Sequence, residues 1–336
     1  MKAMVLRAAD GPEALRLEDV PAAVPGPGEV VVRVRAAALN HRDLFICRGQ
    51  YAGLRFPIII GSDGAGEVAA VGPDVRAPAT GTAVVINPSL HWGSDPQVPG
   101  PAWRILGLPD DGTFAEFVKV PAANVLPRPA GLSDEDAAAI PLCGLTAYRA
   151  VVTRGRVRAG ETVLVIGVGG GVATFALLLA KHAGARVLVT SSSDAKLARA
   201  RELGADDGFN YTASDWVKAV RAATEGKGPD LIIDGTGGPV FDQALDAARP
   251  GGRVVTYGAT LGPAREVAVR RIFWKHLTVL GSTMGSPDEF RAMLALFEGG
   301  KLRPAVDQMF PLAEAGQALL RMDRAAQFGK VVLRIA

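Results

Sequence analysis

The chain has 336 residues, which is long for a single hydrophobic core and indicates two domains. Hydrophobic residues make up 49% and charged residues 21%, an ordinary globular balance, and the net charge of +3 does not indicate a nucleic-acid or membrane partner. The two cysteines, Cys47 and Cys143, are far apart, and the N-terminus lacks a signal-peptide pattern, so we expect a cytoplasmic protein.

The N-terminal part is predicted to be rich in strands. Short segments rich in β-branched residues are separated by glycines and prolines, which mark turns. The predicted elements are strands at 2–7, 15–20 and 29–37, a helix at 42–47, a glycine-interrupted strand in FPIIIGSDGAGEVAAVG, a loop at 88–112 and a strand in FAEFVKV. This pattern is typical of a β-rich domain.

From about Ser133 onwards, short apolar strands alternate with helices. The strands are predicted in ETVLVIG, ARVLVT, DDGFNY, PDLIIDG, GRVVTYG and LTVLGS, and the helices at 172–182, 195–203, 214–223 and 240–247. Such alternation predicts a parallel sheet covered on both faces. Two further helices, at 287–297 and 312–322, and a strand in GKVVLRI are expected to return to the first domain. We predict a β-rich domain of residues 1–127 and 284–336 and a doubly wound domain of residues 128–283.

A glycine-rich turn follows the strand ETVLVIG. Its glycines are Gly167, Gly169, Gly170 and Gly171, and a helix follows directly. Glycines permit a tight turn and a close approach of the backbone to a pyrophosphate, which the N-terminus of the helix then attracts. A tight turn without a ligand needs fewer glycines, and the repeated strand–helix units argue against a methyltransferase. The pattern therefore predicts a Rossmann dinucleotide site.

Serines replace the acid that usually binds the adenine ribose. About 20 residues beyond Gly171 the chain reads Ser191, Ser192 and Ser193, followed by Asp194 and Lys196. Hydroxyl groups and a lysine suit a 2′-phosphate, and Tyr211, after the next strand, is expected at the same corner. This favours NADPH. Alternatively, Ser193 or Asp194 caps the next helix and Lys196 is a surface charge; NADH becomes competitive if Asp194 points at the ribose.

The layout resembles the medium-chain dehydrogenase/reductase superfamily. The resemblance rests on PGPGEVVVRVRAAALN, the glycine turn, LTAY at 145–148 and GKVVL at 329–333. It implies an α/β fold, in which a Rossmann doubly wound parallel sheet is joined to a β-rich GroES-like catalytic domain, and a homodimer formed through LTVLGS as the last strand of the sheet. It also implies cofactor contacts, by position, from Thr146, Gly170, Gly171, Val172, Lys196, Tyr211, Thr236, Tyr257, Gly258, Thr283 and Phe328.

The positions of the zinc ligands in that superfamily carry other residues. Carried over by position, the three ligands of the catalytic zinc fall on Asn40, Ser62 and Leu142, with Cys143 one residue away. Zinc needs three protein ligands there. The loop NPSLHWGSDPQVPGPAWRILG has none of the four cysteines of the structural zinc site. We therefore predict no bound metal.

The zinc-less members include the quinone oxidoreductases and their enone-reducing relatives, whose L-N-x-x-D-x-Y-x-R-x-G-x-Y segment is similar to LNHRDLFICRGQY. A conjugated carbonyl or quinone needs no Lewis acid, because conjugation spreads the charge that arrives with the hydride. The resemblance thus implies hydride transfer from NADPH to such a substrate in the cleft between the domains. A non-catalytic NADPH-binding protein and an alcohol dehydrogenase remain as alternatives.

Asn40 and Tyr51 are the candidate catalytic residues near the substrate. Asn40 would donate a hydrogen bond to the developing oxyanion, and Tyr51 would donate or stack. The structural alternatives are that Asn40 caps the helix HRDLFIC and that Tyr51 is a half-buried aromatic at a turn. We expect Asp43 to pair with an arginine as an anchor.

Overall fold

The computed structural model describes residues 1–335 and divides into two compact units. The β-rich unit comprises Met1–Leu145 and the segment that begins at Gly285, and the parallel-sheet unit comprises Thr146–Met284. The first boundary lies later in the chain than the residue 127 of the sequence-based division. A helix at Asp134–Ala139 accounts for the difference, because its buried alanines pack against Ala36, Ala65 and Val332 of the β-rich unit.

The secondary structure follows in chain order. The first part contains β1 (Lys2–Leu6), β2 (Arg16–Asp19), β3 (Glu29–Ala38), α1 (His41–Cys47), β4 (Ile58–Ile59), β5 (Asp63–Val71), β6 (Ala83–Ile86), β7 (Ser89–Leu90), β8 (Arg104–Ile105), β9 (Phe117–Pro121), β10 (Val125–Pro127), α2 (Asp134–Ala139) and α3 (Pro141–Tyr148), which continues as a π-helical turn at Arg149–Arg154. The middle part contains β11 (Thr162–Val165), α4 (Gly171–His182), β12 (Arg186–Ser191), α5 (Asp194–Glu202), β13 (Asp207–Asn210), α6 (Trp216–Ala223), β14 (Leu231–Asp234), α7 (Gly238–Ala247), β15 (Arg253–Thr256), α8 (Val269–Trp274) and β16 (Thr278–Gly281). The last part contains α9 (Pro287–Ala295), β17 (Val306–Pro311), α10 (Ala315–Asp323) and β18 (Lys330–Arg334).

The β-rich unit is built around one large sheet. Its strands run in the order β10-β6-β5-β3-β18-β17, with β9 also paired to β3, and β2-β1-β4 form a second, smaller sheet. The C-terminal strand β18 lies antiparallel to β3, with Val332 opposite Ala38. The tail therefore returns to the first unit, as predicted.

The parallel-sheet unit holds six strands in the order β13-β12-β11-β14-β15-β16. Every pairing in it is parallel; Val163 of β11, for example, lies opposite Val187 and Leu231. The central strands are buried along their length, because helices cover parallel sheets on both faces. The predicted fold, a Rossmann sheet with a β-rich GroES-like domain, is confirmed.

Some local predictions were incomplete. The stretch FPIIIGSDGAGEVAAVG forms two strands, β4 and β5, that are separated at Gly61. Gly61 has a φ of +100°, and a Cβ there would lie 2.3 Å from the Phe114 ring, so the chain turns where the sequence suggested continuity. Sequence analysis missed β6, β10, β17, α2, α3 and α8, and the loop at 88–112 contains the short strands β7 and β8.

Side-chain contacts hold that loop in place. Trp92 is buried and meets Trp103 edge to face, with ring centroids 6.0 Å apart. Trp103 Nε1 donates to Ser89 Oγ at 3.0 Å, and Asn124 Nδ2 donates to the carbonyl of Ser89 at 3.0 Å.

Within residues 1–335, no helix has the length and apolar character needed to cross a bilayer.

Candidate functional site

A buried lysine organises the polar centre of the β-rich unit. Lys330 begins β18, is 2% exposed, and donates from Nζ to Asn40 Oδ1 at 2.7 Å, to the Leu39 carbonyl at 2.7 Å and to Asp63 Oδ2 at 2.9 Å. Burial is the largest single influence and opposes its charge, but Asp63, Cys143 and Asp43 together raise the Lys330 pKa. Lys330 is therefore a fixed ammonium whose three N–H groups each have an oxygen acceptor.

Asn40 and Asp63 complete this cluster. Asn40 Nδ2 donates to Asp63 Oδ2 at 3.0 Å, and the backbone nitrogen of Leu142 donates to Asp63 Oδ1 at 2.8 Å. The Cys143 thiol lies 3.3 Å from Asn40 Oδ1, and burial raises its pKa. Both ends of the Asn40 amide are thus engaged within the protein, and its role as a donor to a substrate oxygen stays a prediction.

Helix α1 begins directly after Asn40. Asp43 Oδ2 accepts a hydrogen bond from the Asn40 backbone nitrogen at 2.8 Å, so this acid helps to cap the helix. The expected ion pair between Asp43 and an arginine is not found within residues 1–335, where Asp43 Oδ2 is engaged by that amide. Burial raises the Asp43 pKa to about 6, against the opposing influence of the neighbouring Arg42 charge.

Arg42 and Tyr51 form a second pair beside this cluster. Arg42 Nη1 donates to Ser62 Oγ at 2.7 Å and to the Leu106 carbonyl at 2.8 Å. The guanidinium carbon lies 5.0 Å from the centre of the half-buried Tyr51 ring, and Arg42 Nε is 3.5 Å from the Tyr51 hydroxyl. Tyr51 therefore stacks on a cation, and its direct part in catalysis also stays a prediction.

The residues at the expected zinc-ligand positions do not fit zinc. The Asn40 oxygen accepts from an ammonium, Ser62 Oγ accepts from a guanidinium, and Leu142 has no donor atom. Zinc ligands must be able to give a lone pair to the metal, and a thiol must lose its proton, which the raised pKa of Cys143 opposes. No group of three or more His, Cys, Asp or Glu side chains within residues 1–335 has the arrangement of a metal site.

The glycine turn of the parallel-sheet unit has the shape of a phosphate cradle. Gly167 and Gly169 have φ values of +74° and +120°, Gly170 caps α4 with extended backbone, and Gly171 and Val172 open the helix. The first N–H groups of a helix have no partner within it and attract anions. A Cβ on Gly169 would lie 2.8 Å from Lys196 Cδ and 3.3 Å from its Nζ. The turn and the N-terminus of α4 thus fit the pyrophosphate of a dinucleotide, and Lys196 lies beside them.

The serine segment lies at the C-terminal end of β12. Ser191 is buried and its Oγ accepts from the Ser193 nitrogen at 3.3 Å, while Ser192 is exposed. The Ser193 hydroxyl caps α5, so the capping alternative holds for this residue. Asp194 Oδ1 accepts from Asn210 Nδ2 at 2.9 Å. The exposed Tyr211 reaches this corner, since its backbone nitrogen donates to the Ser191 carbonyl at 3.1 Å.

The remaining predicted cofactor residues are distributed over both units. Thr236 follows β14, and its hydroxyl oxygen lies 3.6 Å from the place of a Cβ on Gly167. The Tyr257 ring covers Gly235, where a Cβ would be 2.4 Å away, and Gly258 follows. Thr146 is buried with its hydroxyl 3.8 Å from Met284 Sδ, and Thr283 lies just beyond β16. Phe328 belongs to the β-rich unit, where it is buried and its nitrogen donates to Asp307.

Sequence analysis missed the three charged residues that order the β-rich unit: Arg42, Asp63 and Lys330. The signals were present in the motifs that carried the resemblance. Lys330 interrupts the apolar strand GKVVL, and Arg42 stands between the cap residue Asn40 and the acid Asp43. A charge in a predicted buried strand needs a partner, but the partner lies 267 residues away and cannot be read from the pattern.

Comparisons with known proteins agree with this architecture. The family model "Alcohol dehydrogenase GroES-like domain" matches residues 26–130, and "Zinc-binding dehydrogenase" matches residues 171–299. The zinc-type alcohol dehydrogenase-like protein YogA of Leptosphaeria maculans is 37% identical, with 96% of this chain and 94% of that protein covered. The chain belongs to the medium-chain dehydrogenase/reductase superfamily.

Other members of the superfamily are similar over the full length. A quinone oxidoreductase of Pseudomonas aeruginosa is 32% identical, with 96% of each chain covered. The crystal structure of an NAD-dependent alcohol dehydrogenase is 44% identical, with a TM-score of 0.96 and both chains fully covered. The predicted superfamily is confirmed and the chain is an NAD(P)-dependent oxidoreductase. These names include both zinc-type alcohol dehydrogenases and a quinone oxidoreductase, so they do not assign the chain to the quinone branch.

Proposed function

We propose that this oxidoreductase transfers a hydride from NADPH to a quinone or an α,β-unsaturated carbonyl compound, without a metal. The observation that carries the proposal is that the side-chain oxygens of Asn40 and Ser62 accept hydrogen bonds from Lys330 and Arg42, while Leu142 offers no ligand atom. A simple ketone depends on a Lewis acid for polarisation, whereas conjugation already makes these substrates electrophilic.

The β-rich unit supplies fixed positive charge to such a reaction. NADPH, when bound, supplies the hydride, and the protein supplies position and electrostatics. The ammonium of Lys330 and the guanidinium of Arg42 are both held by hydrogen bonds, so they need little rearrangement when charge develops nearby. Asn40 and Tyr51 are the proposed polar contacts to the substrate, with Asn40 fixed by Lys330.

The serine segment supports the preference for NADPH. The carboxylate of Asp194 is held by Asn210, and by sequence spacing Ser191 and Ser192 take the place of a ribose-binding acid. Lys196, whose side chain runs along the glycine turn, adds a cation. Hydroxyl and ammonium donors stabilise a 2′-phosphate that a carboxylate would repel.

A cofactor titration tests this part of the proposal. Lys196→Ala should weaken NADPH binding about tenfold or more and NADH binding much less, because it removes a charge-assisted hydrogen bond. Nicotinamide fluorescence gives both dissociation constants. Lys218→Ala, an exposed lysine in the first turn of α6, is the control. Equal losses for both cofactors would contradict the 2′-phosphate assignment.

An alcohol dehydrogenase activity is the second candidate, because the similar proteins include several that bear that name.

The decisive experiment follows NADPH oxidation by chelator-treated protein with quinones, enones and simple ketones. NADH is tested in parallel, and the metal content of the protein is measured. Turnover of quinones or enones that EDTA does not affect supports the proposal. Activity on simple ketones alone, lost with EDTA, establishes the second candidate; cofactor binding without turnover indicates a non-catalytic NADPH-binding protein.

A further inference from the structure

The Arg42 guanidinium has one nitrogen without an acceptor. The residue is 7% exposed, and its buried Nη2 finds no hydrogen-bond partner within residues 1–335. Its other groups meet neutral oxygens: Nη1 meets Ser62 Oγ and the Leu106 carbonyl, and Nε faces the Tyr51 hydroxyl. A buried donor that is left unsatisfied costs free energy, so an N–H in this state calls for an acceptor from outside the chain.

Arg42 also lacks an ion-pair partner. In the described part of the chain, no carboxylate lies within 4.0 Å of its guanidinium, whereas Lys330 is paired with Asp63 at 2.9 Å. Asp43, the adjacent residue, gives Oδ2 to the Asn40 backbone and attracts Arg42 only through space. Buried charges are normally paired, because their desolvation is expensive. Arg42 Nη2 is therefore a buried, charged donor without an acceptor in the described part of the chain.

We propose that Arg42 Nη2 donates to the substrate oxygen that becomes negatively charged during reduction. This inference rests on the proposed function. It adds the residue that stabilises the negative charge on the substrate oxygen in the absence of a metal. Hydride adds to the β-carbon of an enone, the alkene electron pair moves to form the enolate, and the carbonyl electron pair moves onto oxygen. With a quinone, that oxygen becomes a phenolate. Arg42 keeps its proton throughout, and solvent protonates the product.

Arg42 lies next to two of the positions at which the resemblance led us to expect zinc ligands. It lies two residues after Asn40 and donates to Ser62, and both residues occupy expected zinc-ligand positions. A guanidinium is always charged and offers directed N–H groups, so it stabilises an oxyanion by hydrogen bonding. Tyr51 stacks on this group and is half-buried, so part of its side chain is open to solvent beside the guanidinium.

Steady-state kinetics with neutral enones and quinones test the role. Arg42→Gln should lower kcat about 100-fold and change KM only a few-fold, because the oxygen carries charge only as the reaction proceeds. Arg42→Lys should restore part of kcat, and millimolar guanidinium ion should restore part of the activity of Arg42→Ala. Arg48→Gln is the matched control, since Arg48 ends the same helix and its guanidinium pairs with Asp323 at the surface.

Binding of 4-nitrophenol provides a readout that does not depend on turnover. The wild type with NADP⁺ should bind the phenolate form and lower the apparent pKa of the nitrophenol, which its absorbance reports; Arg42→Gln should lose this shift. Unchanged kcat together with an unchanged nitrophenol pKa shift in folded Arg42→Gln protein would overturn the proposal. An increase in KM seen only with acceptors that carry a carboxylate would overturn it as well. If the wild type reduces no acceptor, the proposed function fails, and the nitrophenol shift still decides the role of Arg42.

Discussion

The buried Lys330–Asp63 pair is the central electrostatic feature at the scale of single residues. Side-chain exposures of 2% and 0% mean that neither charge is solvated by water. Removing one member of a buried pair leaves the other charge uncompensated, at a cost of about 3–5 kcal/mol. The pair thus fixes Asn40, and loss of either member alone would destabilise the β-rich unit. Replacement of both charges by apolar residues need not lower its stability.

Substitution of Lys330 tests this account. Lys330→Met should lower the free energy of unfolding by about 3–5 kcal/mol, because the Asp63 carboxylate stays buried without its cation. Adding Asp63→Asn should recover at least half of that loss, since the remaining amide is neutral. Urea denaturation of the two variants and the wild type gives the comparison. A double variant no more stable than Lys330→Met would show that packing, and not charge, explains the loss.

Asp43 makes stability depend on pH. Its pKa is about 6 in the folded chain and 3.8 in the unfolded chain, because burial favours the neutral acid. The folded state therefore holds this proton more tightly, so the contribution of Asp43 to stability is fully present below about pH 4 and is lost as pH rises through 6. The difference between these two pKa values corresponds to about 3 kcal/mol of stability.

Asp43→Asn should remove this dependence, because an amide does not titrate. Relative to the wild type, the variant should gain up to about 3 kcal/mol of unfolding free energy between pH 4 and pH 7. Urea denaturation across that range measures the difference. Asp10→Asn, at an exposed position, should leave the wild-type profile unchanged. A constant difference between Asp43→Asn and the wild type would contradict the assignment of this titration to Asp43.

Individual elements show what can be predicted from sequence and where prediction stops. The turn of Gly167–Gly171 and the strands of the parallel sheet were predicted, because glycine spacing and short apolar runs are local features. The contacts of Lys330 were not, because they join residues up to 291 positions apart. The split between β4 and β5 was also missed, since it depends on the ring of Phe114 packed against Gly61.

The loop between β7 and β8 is held by aromatic packing and by hydrogen bonds. Trp92 and Trp103 meet edge to face in this segment, with ring centroids 6.0 Å apart. An aromatic pair contributes roughly 0.5–1.5 kcal/mol beyond burial of its area. The loop therefore gains its order from apolar contact and from the hydrogen bond of Trp103 to Ser89.

Trp103→Ala should lower the free energy of unfolding by about 3 kcal/mol, through lost burial and the lost aromatic contact. Trp103→Phe should cost about 1 kcal/mol, because it keeps a ring and loses the hydrogen bond. Thermal denaturation with and without EDTA measures both effects. Val98→Ala, at an exposed position in the same loop, is the control and should change little. A fall in the wild-type melting temperature on addition of EDTA would contradict an account without metal.

At the scale of the whole molecule, the open end of the parallel sheet suggests how two copies would associate. Strand β16 is the sheet edge next to β15, and the segment leading to it exposes an unusual number of large apolar side chains. These are Leu261, Val267, Val269, Phe273, Trp274 and Val279, of which Trp274 is 72% exposed. Two identical edges pair about a two-fold axis into a closed dimer, and pairing would cover this surface.

Light scattering after gel filtration tests this proposal directly. The wild type should have twice the chain mass of 34.9 kDa, and Trp274→Glu should shift the protein towards monomer, because a charge would be buried at the contact. Leu17→Glu provides the matched control: Leu17 is 44% exposed on β2, an edge strand of the other unit, and its substitution should leave the dimer intact. A monomeric wild type would refute the dimer, and a dimer that resists Trp274→Glu would place the contact elsewhere.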